Sequence, residues 1–289
     1  MSHDLTRLGR RTAAALFALS LSVAPAMAQR ADPKPTVDNS AEKVAATSRP
    51  ATPATKPAAP RPPADQPAIK MGGDQGKGFL KRHEQFLADL KAKEGKVDVL
   101  FVGDSITDAW RRAQDPNNPK GWGGKAVFDK AYAKHNTLNL GISGDQTQHV
   151  LWRLENGEVE GISPKAAVLM IGTNNLGGYK NEEIVAGVTK IVRTLNQKLP
   201  TTKVLLLGVF PRGNKPSDPA RARVKEINEQ IAKLDDGGKT VKYLDIGQKF
   251  LAEDGTLPPE VMPDYLHPND KGYQIWAEAM QPTLDELMK

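Results

Sequence analysis

The sequence predicts a three-layer α/β/α sandwich around a five-stranded parallel sheet, with its strands in the flavodoxin-like order 2-1-3-4-5. Two observations carry that expectation. Short apolar, β-branched runs recur along the chain, each the pattern of a strand buried on both faces. Longer stretches with helical spacing separate them, and strands that alternate with helices pair in parallel. A third observation bears on function. Polar, glycine-containing turns follow the first three strands, at the carboxyl edge where open α/β sheets bind ligands.

The chain opens with appendages. Arg7, Arg10 and Arg11 precede an apolar stretch over residues 12–23, followed by Pro25 and the small-residue pattern Ala26-Met27-Ala28. Residues 1–28 therefore read as a secretory signal peptide, too short to span a bilayer permanently, and the expected location is periplasmic or extracellular. An uncleaved anchor is the alternative, and Arg10-Arg11 is a weak twin-arginine signature. Residues 29–70 hold nine prolines and almost no large apolar side chain, so they read as a disordered linker leading to a domain at 71–289. Residues 1–70 carry ten Lys/Arg against five Asp/Glu, which places +5 of the formal +6 outside the fold. That balance leaves no reason to expect a nucleic-acid groove. The scattered charges fit a solvated linker, with contact to an anionic cell envelope as the other reading. Absence of cysteine excludes thiol nucleophiles, Cys-ligated zinc and disulfides.

The domain begins with a helix over 78–93, whose Phe79, Leu80, His83, Phe86, Leu87 and Leu90 share one face. His83-Glu84 lacks the second histidine of a zinc-binding H-E-x-x-H, so His83 reads as a packed residue. Residues 97–110 (VDVLFVGDSITDAW) give the first strand, a tight turn at Gly103 and a helix start at Asp104-Ser105. Residues 125–133 form a helix and 137–140 the second strand. Gly141-Ile142-Ser143-Gly144-Asp145 opens the next helix, with Asp145 and Gln148 spaced as a capping box. It has neither the third glycine of a dinucleotide fingerprint nor a Walker lysine, which argues against a phosphate cradle and leaves no cofactor expected. The third strand, 166–171, ends in Gly172-Thr173-Asn174-Asn175; a strongly striped helix over 181–199 stops at Pro200. The fourth strand is 203–209, a helix capped by Asp218-Pro219 runs to Leu234, and the fifth strand is 241–245. A closing helix from Asn269 is expected to bend or break before Pro282.

In the order 2-1-3-4-5 the second and third strands flank the first, so the turns bearing Gly144 and Asn174 lie on either side of Ser105. Ser105 alone could be a helix cap. A nucleophilic serine needs a base. His3 lies in the signal peptide, His83 packs, His135 precedes the second strand, and His149 sits in a helix, pocket-lining or bonded to a neighbour. His267 remains, in Asp264-Tyr265-Leu266-His267-Pro268 between the last strand and the last helix. Asp264 can turn back to the imidazole, which completes the logic Ser105 → His267 → Asp264. The N–H groups of Ser105 and Gly144 and the amide of Asn174 would supply an oxyanion hole. Ile106, Thr173 and Leu266 are branched neighbours that would crowd an acyl pocket. Asp108, Trp110 and Trp152 could reach the crevice mouth or simply pack.

Gly103-Asp104-Ser105, Gly144 within GISGD, Gly172-Thr173-Asn174 and Asp264-x-x-His267 together resemble, in order and spacing, the four sequence blocks of the SGNH (GDSL-type) hydrolases. Ile106 stands where GDSL has its leucine. The stretches NLGISGDQTQHVLWRLENGEVEGISPK, VLMIGTNN and DYLHPNDKGY are most similar to the α-type catalytic subunits of platelet-activating-factor acetylhydrolase and their bacterial relatives. The resemblance implies the SGNH hydrolase fold, Ser105 as nucleophile, His267 as base, Asp264 as its partner, and Gly144 and Asn174 as oxyanion donors. Asn175 adjoins Asn174, and the block spacing favours Asn174. It implies no metal and no cofactor, and it allows a homodimer. The expected activity is a serine esterase acting on a small ester, acetylated glycan foremost. A lipid-directed hydrolase and a non-catalytic carbohydrate-binding module are the rivals.

Overall fold

The strands β1 (Val99–Gly103), β2 (Thr137–Asn139), β3 (Ala166–Met170), β4 (Lys203–Leu207) and β5 (Val241–Leu244) form one parallel sheet in the order β2-β1-β3-β4-β5. The molecule is known here from a computed structural model that describes residues 61–289 apart from 116, 119 and 120. The expected signal peptide and the linker up to residue 60 lie outside the described residues. Val99 pairs with Thr137 on one side and Ala166 on the other, and Gly103 lies opposite Met170, so the ends of β1 and β3 are level. Every residue of β1 and β3 is buried, which is why both read as continuous apolar runs rather than alternating ones.

Helices cover both faces. Against one lie α1 (Gly73–Ala92), α4 (Thr147–Glu155), α5 (Asn181–Lys198) and α6 (Pro219–Ile231), packed on aliphatic residues such as Leu100, Leu169, Ile191 and Leu206. Against the other lie α2 (Ser105–Asp108), α3 (Lys125–Tyr132) and α7 (Asp270–Leu287), around Phe101, Trp110, Tyr132, Phe210, Tyr273 and Trp276.

Four local expectations are corrected. The stripe of α1 is narrower than its spacing suggested: Phe79, His83, Phe86 and Leu90 are buried, whereas Leu80 and Leu87 face solvent. Helix α4 starts one residue late for a box between Asp145 and Gln148. Its N-cap is Gln146, whose N–H donates to His149 Nδ1 at 3.0 Å, while Asp145 is drawn into the interior by Arg153. Helix α7 runs unbroken past Pro282, because Pro282 and the Glu278 carbonyl it leaves unbonded lie on the exposed face, where water serves that carbonyl.

The fourth correction concerns the boundary at Met71. Packed chain begins earlier, for residues 61–70 lie on the domain without helix or strand. Ala64 is buried, its carbonyl accepts Thr147 Oγ1 at 2.7 Å, and Tyr179 Oη donates to the Pro62 carbonyl at 2.8 Å. Backbone hydrogen bonding, rather than apolar burial, holds this strap, so its composition read as linker.

Candidate active site

The β1 turn is tight because Gly103 has no room for a side chain: a Cβ there would stand 2.1 Å from Thr107 Oγ1 and 2.5 Å from the Met170 carbonyl oxygen. Asp104, not Ser105, is the N-cap of α2, its Oδ1 accepting the Ile106 N–H at 3.0 Å. That leaves Ser105 Oγ free of capping duty. It lies 2.8 Å from His267 Nε2, and His267 Nδ1 lies 2.6 Å from Asp264 Oδ2. The hydroxyl, imidazole and carboxylate expected from the sequence are thus in one hydrogen-bonded chain.

The histidine is held from three sides. Asp264 Oδ1 accepts the backbone N–H groups of Leu266 (3.1 Å) and His267 (2.7 Å), which folds the carboxylate back on its own loop. Tyr265 takes up the reversal at φ +58°, a left-handed conformation uncommon for an aromatic residue. Burial pushes the Asp264 pKa up, but hydrogen bonds from the His267 ring and backbone outweigh it and hold the carboxyl below its ordinary range. On the imidazole face, Trp122 stacks at 4.1 Å between centroids and 13° between planes, with Arg112 3.7 Å above the same indole. Trp122 was missed in the sequence, where it sits in a Pro/Asn/Gly loop with no pattern pointing at His267.

The β2 turn meets this chain from the other side. Gly144 is at φ +76°, exposed, where a side chain would be strained. Asp108 on α2 accepts Ser143 Oγ at 2.7 Å and Ser143 N–H at 3.2 Å, joining the two turns. Asn174 Nδ2 donates one hydrogen to the Asp145 carbonyl at 2.8 Å and keeps its second N–H. Asn175 is fully buried instead, bonded to the backbone N–H and hydroxyl of Thr147. Asn174 is therefore the amide at the rim and Asn175 the structural one. Ile106 and Thr173 are each 1% exposed, Leu266 is half-buried, and Arg212 Nη1 donates to the Thr173 carbonyl at 3.0 Å. Trp110 belongs to the aromatic core, and Trp152 packs on Phe79 and His83.

Two carboxyls beneath the site are buried. Burial raises the Asp104 pKa to about 7, against the pull of the Ile106 N–H and His267, and Oδ2 has no hydrogen-bond partner among the described residues. Burial raises the Asp145 pKa to about 6, against Arg153 and Lys70. Asp145 belongs to a buried chain of charges: Arg153 Nε reaches Asp145 Oδ2 at 2.9 Å, Arg153 Nη1 bonds Glu158, and Glu158 meets His83 Nδ1 at 2.8 Å. His83 is thus a packed, partnered histidine. Burial likewise lowers the His149 pKa to about 4, so it accepts from Gln146 as a neutral ring. Among the described residues, no group of three or more His, Asp or Glu is placed to hold a metal ion.

Residues 101–275 match the model of the GDSL-like Lipase/Acylhydrolase family. The chain belongs to this family. As a GDSL acylhydrolase it is an ester-cleaving hydrolase, with a match that spans all the turns described above. Over 215 residues it is 36% identical to platelet-activating factor acetylhydrolase IB subunit alpha1 of Homo sapiens, covering 74% of this chain and 86% of that protein. The alpha2 subunit of Rattus norvegicus is 34% identical over 213 residues, 73% of this chain and 85% of that one. Among solved structures, an acetyl xylan esterase superposes with a TM-score of 0.54 at 22% identity, covering 65% of this chain and 100% of that one. An acetyl-xylooligosaccharide esterase mutant from Geobacillus gives 0.50 at 20% identity, with 67% and 94% covered. These two likenesses establish the shared fold of the GDSL acylhydrolase.

Proposed function

We propose that this GDSL acylhydrolase is an exported serine esterase that removes short acyl groups, acetyl foremost, from carbohydrate esters. One observation carries the chemistry: the unbroken chain Ser105 Oγ, His267 Nε2, His267 Nδ1, Asp264 Oδ2, with spacings of 2.8 and 2.6 Å. In this reading Ser105 Oγ attacks the ester carbonyl carbon while His267 Nε2 takes the hydroxyl proton. Asp264 fixes the tautomer that leaves Nε2 free to accept and stabilises the imidazolium. The carbonyl oxygen becomes an oxyanion that accepts from the N–H groups of Ser105 and Gly144 and from Asn174 Nδ2. Collapse breaks the bond to the alcohol, which leaves with the proton from Nε2. Water, deprotonated by the same nitrogen, then releases the acid and restores Ser105.

A small acyl group is supported by the branched side chains of Ile106, Thr173 and Leu266, which adjoin Ser105, Asn174 and His267 in the sequence, and by the acetylhydrolase names of relatives that are 36% identical. Carbohydrate as the alcohol is supported by the export signal read in residues 1–28, since the cell envelope and its surroundings offer acetylated polymers. The same relatives favour a second reading, a lipid ester as substrate.

The decisive experiment is Ser105→Ala. Its kcat on p-nitrophenyl acetate should fall on the order of 10⁶-fold while the fold is kept. Unchanged turnover would move the chemistry elsewhere. Chain-length profiling then tests the acyl group: acetate and butyrate should far exceed decanoate, and equal turnover of decanoate ends the short-acyl reading. Acetyl-xylan, acetylated peptidoglycan and short-chain phospholipids, assayed side by side, separate the two alcohols. A mature N-terminus at Gln29 on exported protein tests the signal peptide.

A further inference from the structure

The strap at 61–70 ends on the turn that bears Gly144. A turn at residues 64–66, closed by the Gln66 N–H on the Pro63 carbonyl at 3.2 Å, and a series of contacts fix its path over α4 and α5. Arg61 lies 5.3 Å from the centroid of the Tyr179 ring, Ala64 is buried beside Thr147, and the Ala68 N–H donates to the Gln148 carbonyl at 3.0 Å. Lys70 closes the series. Its Nζ donates to the Ser143 carbonyl at 2.7 Å and stands 3.6 Å from Asp145 Oδ1. The Lys70 side chain is only 11% exposed, and a Cβ on Gly144 would come within 2.9 Å of its ammonium. One cation therefore touches the residue before Gly144, the residue after it and the space alongside it.

This turn needs such a brace. Gly144, at φ +76°, gives the turn a backbone freedom that a branched residue would not, yet an oxyanion donor must be held within about 0.5 Å of its productive position. Asn174 holds the Asp145 carbonyl, and Arg153 holds Asp145 Oδ2. Among the described residues Asp145 Oδ1 is buried with no hydrogen-bond partner, and Lys70 is a cation facing it. Without Lys70, the Ser143 carbonyl also loses its donor. The loss at the Ser143 carbonyl falls on the peptide plane that carries the Gly144 N–H, and the loss at Asp145 on the residue that follows it.

We propose that Lys70 is a positioning residue for the oxyanion hole, which makes the end of the N-terminal strap part of the esterase machinery. The proposal rests on the reading of Gly144 as an oxyanion donor. It acts on the transition state and not on substrate binding, because the ammonium braces the turn and does not line an open pocket.

The test uses the full chain with Lys70→Met and Lys70→Arg, assayed on p-nitrophenyl acetate and with phenylboronic acid, which forms a tetrahedral adduct on the serine with an oxygen in the hole. Lys70→Met should lower kcat roughly 10- to 100-fold with KM within about threefold, and weaken the boronate by the same factor as kcat/KM. Lys70→Arg should recover most of both. Should Lys70→Met fail to fold by circular dichroism, Lys70→Gln, which keeps a donor for the Ser143 carbonyl, replaces it with the same expectation in smaller measure. Tyr179→Phe, which loosens the strap at Pro62, should leave kcat within about twofold. Unchanged kcat and boronate affinity in the Lys70 variants overturns the proposal, as does a rise in KM with kcat intact, which would make Lys70 a substrate contact. Ser105→Ala separates the levels: an inactive Ser105→Ala with a fully active Lys70→Met refutes the brace alone, whereas an active Ser105→Ala refutes the esterase reading beneath it.

Discussion

The two faces of the sheet support the site in opposite ways. On the face covered by α3 and α7, Trp110, Tyr132, Phe210, Tyr273 and Trp276 are buried in mutual contact, and this layer extends outward to the two loops that carry Trp122 and His267. On the face covered by α1 and α4, an aliphatic core encloses charge: His83, Glu158, Arg153 and Asp145 run as a buried chain toward the Gly144 turn. The His267 imidazole is backed by shape and the Gly144 turn by electrostatics. Packing resists displacement at any pH. A buried ion chain resists it only while its members keep their charges.

Paired substitutions break this contrast most strongly. Trp276→Ala empties the centre of the aromatic layer and should cost ~3–5 kcal/mol in urea unfolding, equally at pH 4 and pH 8. Arg153→Met leaves Asp145 and Glu158 buried without their shared cation and should cost a similar ~3–5 kcal/mol at pH 8. The pH dependence tells the two apart. A carboxyl whose pKa is raised on folding contributes stability that is fully present below its unfolded value and is lost as pH rises through its folded value. For Asp145 that window runs from 3.8 to about 6, and removing Arg153 extends it upward. The Arg153→Met deficit should therefore shrink as pH falls toward 4, while the Trp276→Ala deficit stays constant.

Asp104 sharpens the point, since it lies between the faces. Its raised pKa places a window between 3.8 and about 7, across which wild-type stability declines with rising pH. Asp104→Asn keeps an oxygen for the Ile106 N–H and should flatten that decline by on the order of 2–4 kcal/mol between pH 4 and pH 8. Comparing slopes cancels the constant cost of burying the amide. A slope equal to that of wild type would mean that Asp104 titrates normally. Trp122→Leu should lower kcat/KM by about tenfold with little change in melting temperature, because the ring orients the imidazole without belonging to the core. Lys125→Ala, on the outer side of α3, removes an exposed pair with Asp129 worth ~0.3–0.5 kcal/mol and should leave both readouts unmoved.

The sheet was legible because its physics is local. Val99 to Val102 and Ala166 to Met170 are apolar runs bounded by glycine or polar turns, and alternation with helices such as α5 leaves few ways to order them. The meeting of Ser105, His267 and Asp264 in one hydrogen-bonded chain was legible because each sits in a short block at the end of a strand or beside a helix start. What escaped was long-range and polar. Residues 61–70 look like linker because carbonyl acceptors and one lysine dock them, and composition does not register such bonds. Trp122 reaches His267 across a loop closed by the Gly123 N–H on the Pro268 carbonyl at 3.2 Å, a contact with no sequence period. Asp145 was expected at a helix cap, the usual place for a carboxylate before an apolar run. Its place with Arg153 could not be seen without knowing that Arg153 turns inward.

Gly141 leaves no gap between its turn and α2: a Cβ there would stand 2.3 Å from the Asp108 backbone nitrogen. The helix that starts at Ser105 and the start of the Gly144 turn therefore meet main chain against main chain, and any side chain at residue 141 would pry them apart.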